Sequence, residues 1–204
     1  MPGERAVSAI VLAGGRSARF GRDKLAEAID GQPLLHRAIA AVRPLAAEVI
    51  VVAAPVASPA IPANTVVVHD PAPFEGPLAG LAVGLRAAHH AVCLVVGGDS
   101  PSLVRSVLDL LITELDEPAF DAAALEDEGR LRPLPSAIRR DPGLAATDRL
   151  LDGGERRLRL VFEGLPTRTI EEERWRRLDP DGATLRDIDT PADLPAAADR
   201  LPDG

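Results

Sequence analysis

Aromatic side chains are scarce in this chain: 204 residues contain four Phe, one Trp and no Tyr. A core must then be assembled from Ala, Val, Leu and Ile, and an aromatic platform for stacking single-stranded bases is excluded. Cysteine is nearly absent as well. Cys93 stands alone, so no internal disulfide can form, which fits a reducing cytoplasm. No apolar run reaches the roughly 18 residues of a membrane helix. Met1-Pro2-Gly3-Glu4-Arg5 carries no secretory pattern, so a cytoplasmic protein is expected. Positive charge is in deficit: 23 Lys and Arg against 31 Asp and Glu leave a net charge of −8. That balance argues against a nucleic-acid binder and against a polybasic membrane anchor.

What is present suits a folded domain. Hydrophobic residues make up 46% and charged residues 26% of the chain, and the length suits one domain over residues 1–204. Short, nearly continuous apolar runs at Ala6–Leu12, Glu48–Ala53, Thr65–Val68 and Val92–Val96 read as strands covered on both faces. Helical spacing follows Pro33 through Leu34, Leu35, Ala38, Ile39 and Val42, and again from Pro77 to about Ala88. Ser100-Pro101 reads as a cap and first-turn proline for a third helix through Val104, Leu108, Leu111 and Leu115. This alternation predicts a mostly parallel α/β sheet. Further on, Asp121–Leu125, Leu131–Ile138 and Thr167–Ile170 read as strands, with helices at Gly143–Leu151, Arg156–Phe162 and Pro191–Ala198. Glu171-Glu172-Glu173 with Arg174, Arg176 and Arg177 reads as a solvated, self-paired face.

The chemistry concentrates directly after the first strand, in Leu12-Ala13-Gly14-Gly15-Arg16-Ser17-Ala18-Arg19-Phe20-Gly21-Arg22-Asp23-Lys24. Neither G-x-G-x-x-G nor a Walker loop fits this segment. Adjacent glycines still allow backbone N–H groups to approach an anion closely. Arg16, Arg19, Arg22 and Lys24 place four cations against one acid inside an acidic chain, and guanidinium and ammonium groups suit phosphate oxygens. A loop of solvated arginines is the bland alternative. Farther along, Gly97-Gly98-Asp99-Ser100-Pro101 follows an apolar strand, so Asp99 is expected at the carboxyl edge of the sheet. A carboxylate there suits Mg²⁺ or merely neighbours a helix cap. Around Pro77, Ala79, Gly80 and Ala82 permit either close approach of a ligand or tight packing on the sheet. The four histidines show no zinc-ligand spacing, and Cys93, mid-strand, is expected to be buried and inert.

Through these residues the chain resembles the molybdenum cofactor guanylyltransferases of the MobA-like nucleotidyltransferase superfamily. The loop resembles L-A-G-G-x-S-x-R-x-G-x-D-K. Asp70 with Gly76-Pro77-Leu78-Ala79-Gly80 resembles D…GPLAG, and Gly97-Gly98-Asp99 resembles the strand-end aspartate motif, with Ser100 where Met is usual. Arg130-Leu131-Arg132-Pro133-Leu134 resembles a block with Gln at the place of Arg132. Asp187-Ile188-Asp189-Thr190-Pro191-Ala192-Asp193-Leu194 resembles N-x-N-T-P-E-D-L with both Asn replaced by Asp. The asparagine usual after the second strand is missing, since Ala53-Ala54-Pro55 stands there.

The resemblance implies a three-layer, Rossmann-like α/β domain with a mixed, mostly parallel sheet. Residues 1–100 would form the nucleotide-binding half and 101–204 the acceptor-binding half. It implies GTP and Mo-molybdopterin as substrates, Mg²⁺ as metal, and transient contacts with proteins that deliver or receive the cofactor. Arg19, Lys24 and Asp99 would be catalytic, with Asp99 holding the metal. Leu12, Ala13, Gly14, Gly15, Lys24, Asp70, Gly76, Pro77 and Asp99 would bind the nucleotide, and Arg132, Asp187 and Asp189 the acceptor. The alternatives are a same-fold enzyme using CTP or another phosphate acceptor, and a silent nucleotide-binding homologue.

Overall fold

A strand buried on both faces needs no polar alternation, and Val49–Ala53 is buried at every position. The computed structural model describes residues 6–14, 24–54, 61–70, 76–188 and 193. In chain order come β1 (Val7–Ala13), the two-residue strands β2 (Ala28–Ile29) and β3 (Gln32–Pro33), α1 (Leu34–Val42), β4 (Glu48–Ala53) and β5 (Val66–His69). They are followed by α2 (Pro77–Ala87), β6 (Val92–Gly97), α3 (Arg105–Thr113), β7 (Ala122–Asp127) and β8 (Arg130–Arg139). The chain continues through α4 (Arg140–Asp152), α5 (Arg159–Gly164), β9 (Thr167–Ile170) and α6 (Glu172–Arg176).

Seven strands form one sheet in the order β5-β4-β1-β6-β8-β7-β9, while β2 and β3 pair separately. Strands β5, β4, β1 and β6 run parallel, β8 is antiparallel to β6 and β7, and β7 and β9 are parallel. The sheet is therefore mixed and mostly parallel, as the alternation predicted. Side chains divide by the two-residue period of a strand. On one face Ala9 and Val11 of β1 join Leu35, Ala38 and Ile39 of α1 and Leu108 and Leu111 of α3. On the other, Ile10 joins Leu78, Leu81 and Leu85 of α2 and Val161 and Phe162 of α5. No helix among the described residues is long and apolar enough to cross a membrane.

Four expectations are corrected. The strand expected at Thr65–Val68 to be covered on both faces is the edge strand β5, with Val66 44% and Val67 39% exposed, because within the sheet it neighbours β4 alone. The helix expected from Ser100-Pro101 begins only at Arg105, because Ser100 turns its hydroxyl elsewhere and the Val104 N–H donates to Thr184 Oγ1, 3.1 Å away, at the helix entrance. The helix expected from Arg156 begins at Arg159. The Glu171–Arg177 segment is self-paired only in part. Arg176 pairs with Glu172 at 3.2 Å and Arg177 with Glu173 at 2.7 Å, but Arg174 pairs with Glu114. Trp175 between them is fully buried and donates its Nε1–H to the Glu126 carbonyl at 2.7 Å. The closing helix expected at Pro191–Ala198 lies outside the described residues, Asp193 apart.

Candidate active site

Parallel strands place their carboxyl ends together, and the loops leaving that edge are where ligands bind in open α/β sheets. A cavity of about 380 Å³ lies there, lined by Leu12, Gly14, Val52, Asp70, Gly76, Pro77, Gly80, Gly97, Asp99 and Leu134. Leu12 and Val52 come from neighbouring strands in register, and Gly97 pairs with Leu12 on the other side. The sheet thus forms the floor, and α2 forms a wall with its first turn. Gly76 opens that helix at φ +100°, a conformation that favours glycine, and a β-carbon there would stand 3.3 Å from the Arg156 carbonyl oxygen. Pro77 follows in the first turn, where its missing N–H costs nothing.

Asp99 stands two residues past β6, the central strand, and its backbone is pinned from two sides. Gly98 N–H donates to the Leu12 carbonyl at 2.9 Å, and Ile188 N–H donates to the Asp99 carbonyl at 3.2 Å. Lys24 opens the short 3₁₀ turn Lys24–Ala26 and meets this carboxylate: its Nζ lies 2.6 Å from Asp99 Oδ2. Asp70 follows β5, its N–H donating to the Ala53 carbonyl at 3.2 Å, and it is only 7% exposed. One buried carboxylate, one partly exposed carboxylate and one ammonium therefore converge on an otherwise apolar, glycine-walled cleft. Such a cleft has room for a planar ring between Asp70, which follows the edge strand β5, and the Lys24–Asp99 pair past the central strand β6.

Of the residues singled out in the sequence, the structure gathers Leu12, Gly14, Asp70, Gly76, Pro77 and Asp99 on one cavity, and Lys24 joins them through its ion pair. Ala13 belongs to the opposite core, with Leu35 and Ala38. Asp187 stands beside the site rather than on the cavity wall, where its Oδ1 accepts the Ser100 hydroxyl at 2.8 Å. Arg132 lies on β8, 3.9 Å from Asp127, outside the cavity lining although Leu134 of the same strand belongs to it. Gly15, Arg19 and Asp189 lie outside the described residues.

Val52 and Leu134 were not foreseen as wall residues. Val52 is the last residue but one of the apolar run Glu48–Ala53, with that register its only signal, and Leu134 closes a block read for its arginine. Two glycines on α2 differ in their surroundings. A β-carbon at Gly80 would lie 3.5 Å from Leu12 Cδ2, an ordinary contact beside the cavity. At Gly84 it would lie 2.5 Å from Ile10 Cγ2, so that glycine serves packing.

Two titratable groups outside the cavity lining are displaced from their ordinary values. Burial pushes the Cys93 thiol up to about 12, so it carries no thiolate near neutral pH. Glu48 lies at the amino end of β4, far from the cavity edge. Burial there favours its neutral form, but bonds from the Ser8 hydroxyl and from the His89 N–H and ring hold it below the ordinary value. Among the described residues, no three His, Cys, Asp or Glu side chains cluster as a metal cage.

Comparison with known proteins follows the same outline. The family model for the MobA-like NTP transferase domain matches residues 9–168. A probable molybdenum cofactor guanylyltransferase of Chloroflexus aggregans is 36% identical over 199 residues, covering 95% of this chain and 94% of that protein. A molybdenum cofactor guanylyltransferase of Desulfosudis oleivorans is 30% identical over 194 residues, covering 94% of each. Among solved structures, the molybdopterin-guanine dinucleotide biosynthesis protein A of Archaeoglobus fulgidus superposes with a TM-score of 0.78 at 22% identity, covering 94% of this chain and 97% of that one.

Proposed function

Since the chain belongs to the family of MobA-like NTP transferase domains, and so to the nucleotidyltransferases, we propose that it transfers GMP from GTP to the phosphate of Mo-molybdopterin in the cytoplasm. The observation that carries this reading is the convergence of Gly14, Asp70, Gly76, Pro77 and Asp99 on one cavity, with Lys24 bonded to Asp99. Residues 1–100 supply all of that wall except Leu134, which fits a nucleotide-binding half, and residues 101–204 remain for the acceptor, with Arg132, Asp187 and Asp189 as its candidates. Proteins that deliver or receive the cofactor would meet this second half transiently.

In the reaction a phosphate oxygen of the acceptor attacks the α-phosphorus of GTP in line. The new P–O bond forms as the bond from the α-phosphorus to the bridging oxygen breaks, and pyrophosphate leaves with that electron pair. The nucleophile is already anionic, so no general base is required. Glycine-loop N–H groups from Gly14 and Gly15, with Arg19 and Lys24, would hold and neutralise the triphosphate. Asp70 and the first turn of α2 would orient the nucleoside. With the asparagine after β4 absent, recognition of the base falls more on backbone groups. A hard divalent cation suits the Asp99 carboxylate, whose Oδ1 and Oδ2 are the oxygen donors Mg²⁺ prefers, with substrate phosphates completing its ligands. When bound, Mg²⁺ would offset negative charge on the triphosphate and the departing pyrophosphate.

Thermal shift with each Mg-nucleoside triphosphate tests the nucleotide assignment. GTP is expected to raise Tm by several degrees more than CTP, ATP or UTP, because a ligand at 100 times its Kd adds about 2.7 kcal/mol. A preference for CTP, or no response to GTP, would overturn it.

A further inference from the structure

The Asp99 carboxylate is already engaged in an ion pair. Its Oδ2 lies 2.6 Å from Lys24 Nζ, and the lysine side chain is only 13% exposed. Its Oδ1 sits against the end of β6, where a β-carbon on Gly97 would come within 2.7 Å of it. The backbone beneath is held by the Gly98–Leu12 and Ile188–Asp99 hydrogen bonds. Next to it, the Ser100 hydroxyl is committed to Asp187 at 2.8 Å. Asp99 is therefore the fixed partner, and Lys24, on a four-carbon stem at the start of a single turn, is the movable one.

We propose that Lys24 and Asp99 form a latch that keeps divalent cations off Asp99 until a nucleoside triphosphate is bound. A cation arriving alone meets an ammonium already within hydrogen-bond distance of the oxygen it requires, and the two positive charges exclude each other. A triphosphate supplies other anionic oxygens for the ammonium. Lys24 then leaves Asp99 for the phosphates, and the vacated carboxylate oxygen accepts the metal. Metal and triphosphate affinities are coupled as a result, each raising the other by the same factor. This inference rests on the nucleotidyltransferase reading of the cavity, but not on which base the enzyme prefers.

Titration of the intact protein with Mn²⁺, followed by the electron paramagnetic resonance signal of the free ion, tests the latch without any turnover. In the absence of nucleotide, Lys24→Met is expected to bind Mn²⁺ roughly tenfold more tightly than wild type. Lys24→Arg, which keeps the charge, should behave like wild type, and Lys24→Met combined with Asp99→Asn should lose the gain. Wild type binding as tightly as Lys24→Met, or Lys24→Arg binding as tightly as Lys24→Met, would overturn the proposal. A circular dichroism melt of each variant establishes that it is folded. The wild type alone supplies a second arm. With the α,β-methylene analogue of whichever triphosphate thermal shift selects, its Mn²⁺ affinity should exceed that of the same nucleotide in buffer by roughly tenfold, and equal affinities would overturn the latch. A preference for CTP in thermal shift would defeat the guanylyl assignment and leave these results standing.

Discussion

Two glycines four residues apart on α2 do different work, and substitution separates them. Gly80→Ala adds a β-carbon 3.5 Å from Leu12 Cδ2 and 3.7 Å from Val52 Cγ1, both on the cavity wall. Helix propensity favours alanine by about 1 kcal/mol, so the expected outcome is unchanged or slightly higher stability with a several-fold rise in KM for GTP. Gly84→Ala drives the same atom to 2.5 Å from Ile10 Cγ2 and 3.2 Å from Val52 Cγ2. Overpacking of about 1–3 kcal/mol then outweighs the propensity gain, and the measurable result is a lower Tm. Urea melts of both variants beside their GTP kinetics check the pair. In the sequence these glycines were equivalent, because spacing along a helix shows which residues share a face but not how deep the neighbouring side chains reach. Asp70 and Asp99 were legible for a simpler reason: each lies within two residues of the carboxyl end of a strand, so its place at the sheet edge is set by chain connectivity. Gly15 and Arg19 rest on the glycine-and-cation pattern and the resemblance, and Asp189 on the resemblance; all three lie outside the described residues.

At the scale of elements, the carboxyl-terminal third is fastened to the sheet by a charged clasp that no local pattern announced. Glu114, just after α3, accepts Arg168 Nε of β9 at 2.8 Å and a second guanidinium from Arg174 of α6. Burial favours its neutral form, but the hydrogen bonds and charges of Arg174 and Arg168 hold its pKa below the ordinary 4.5. The folded protein therefore prefers the ionised form more than the unfolded chain does. That stabilisation is fully present above pH 4.5 and is lost as pH falls through the lowered folded value. Glu114→Gln should cost on the order of 1 kcal/mol near neutral pH, since both arginines are half exposed. The deficit should shrink on acidification below pH 4.5, as read by urea melts across the acid range. A deficit independent of pH would remove the clasp. The helix expected at Ser100-Pro101 failed for a related reason. Its cap residue is committed to Asp187, 87 positions away, and the N–H at the true helix entrance is met by Thr184.

For the molecule as a whole, the parallel half was legible because β1, β4 and β6 are buried along nearly their whole length and read as unbroken apolar runs, although the edge strand β5 is exposed. There Glu48–Ala53 was located to the residue, and in the other half so was Thr167–Ile170. The other half is held by contacts distant in sequence, such as Trp175 to Glu126 and Arg139 to the Phe120 and Leu115 carbonyls. Its boundaries were correspondingly less clear. The net charge of −8 describes the surface and hides the site, where one ammonium neutralises the carboxylate at the centre of the sheet edge. Pyrophosphate release with GTP and Mo-molybdopterin, in wild type and Asp99→Asn, tests the central claim most directly. The account predicts turnover in the wild type with GTP and not with CTP, and a loss of roughly a hundredfold or more in the variant. Absence of turnover with GTP, or equal rates in the two proteins, would contradict it.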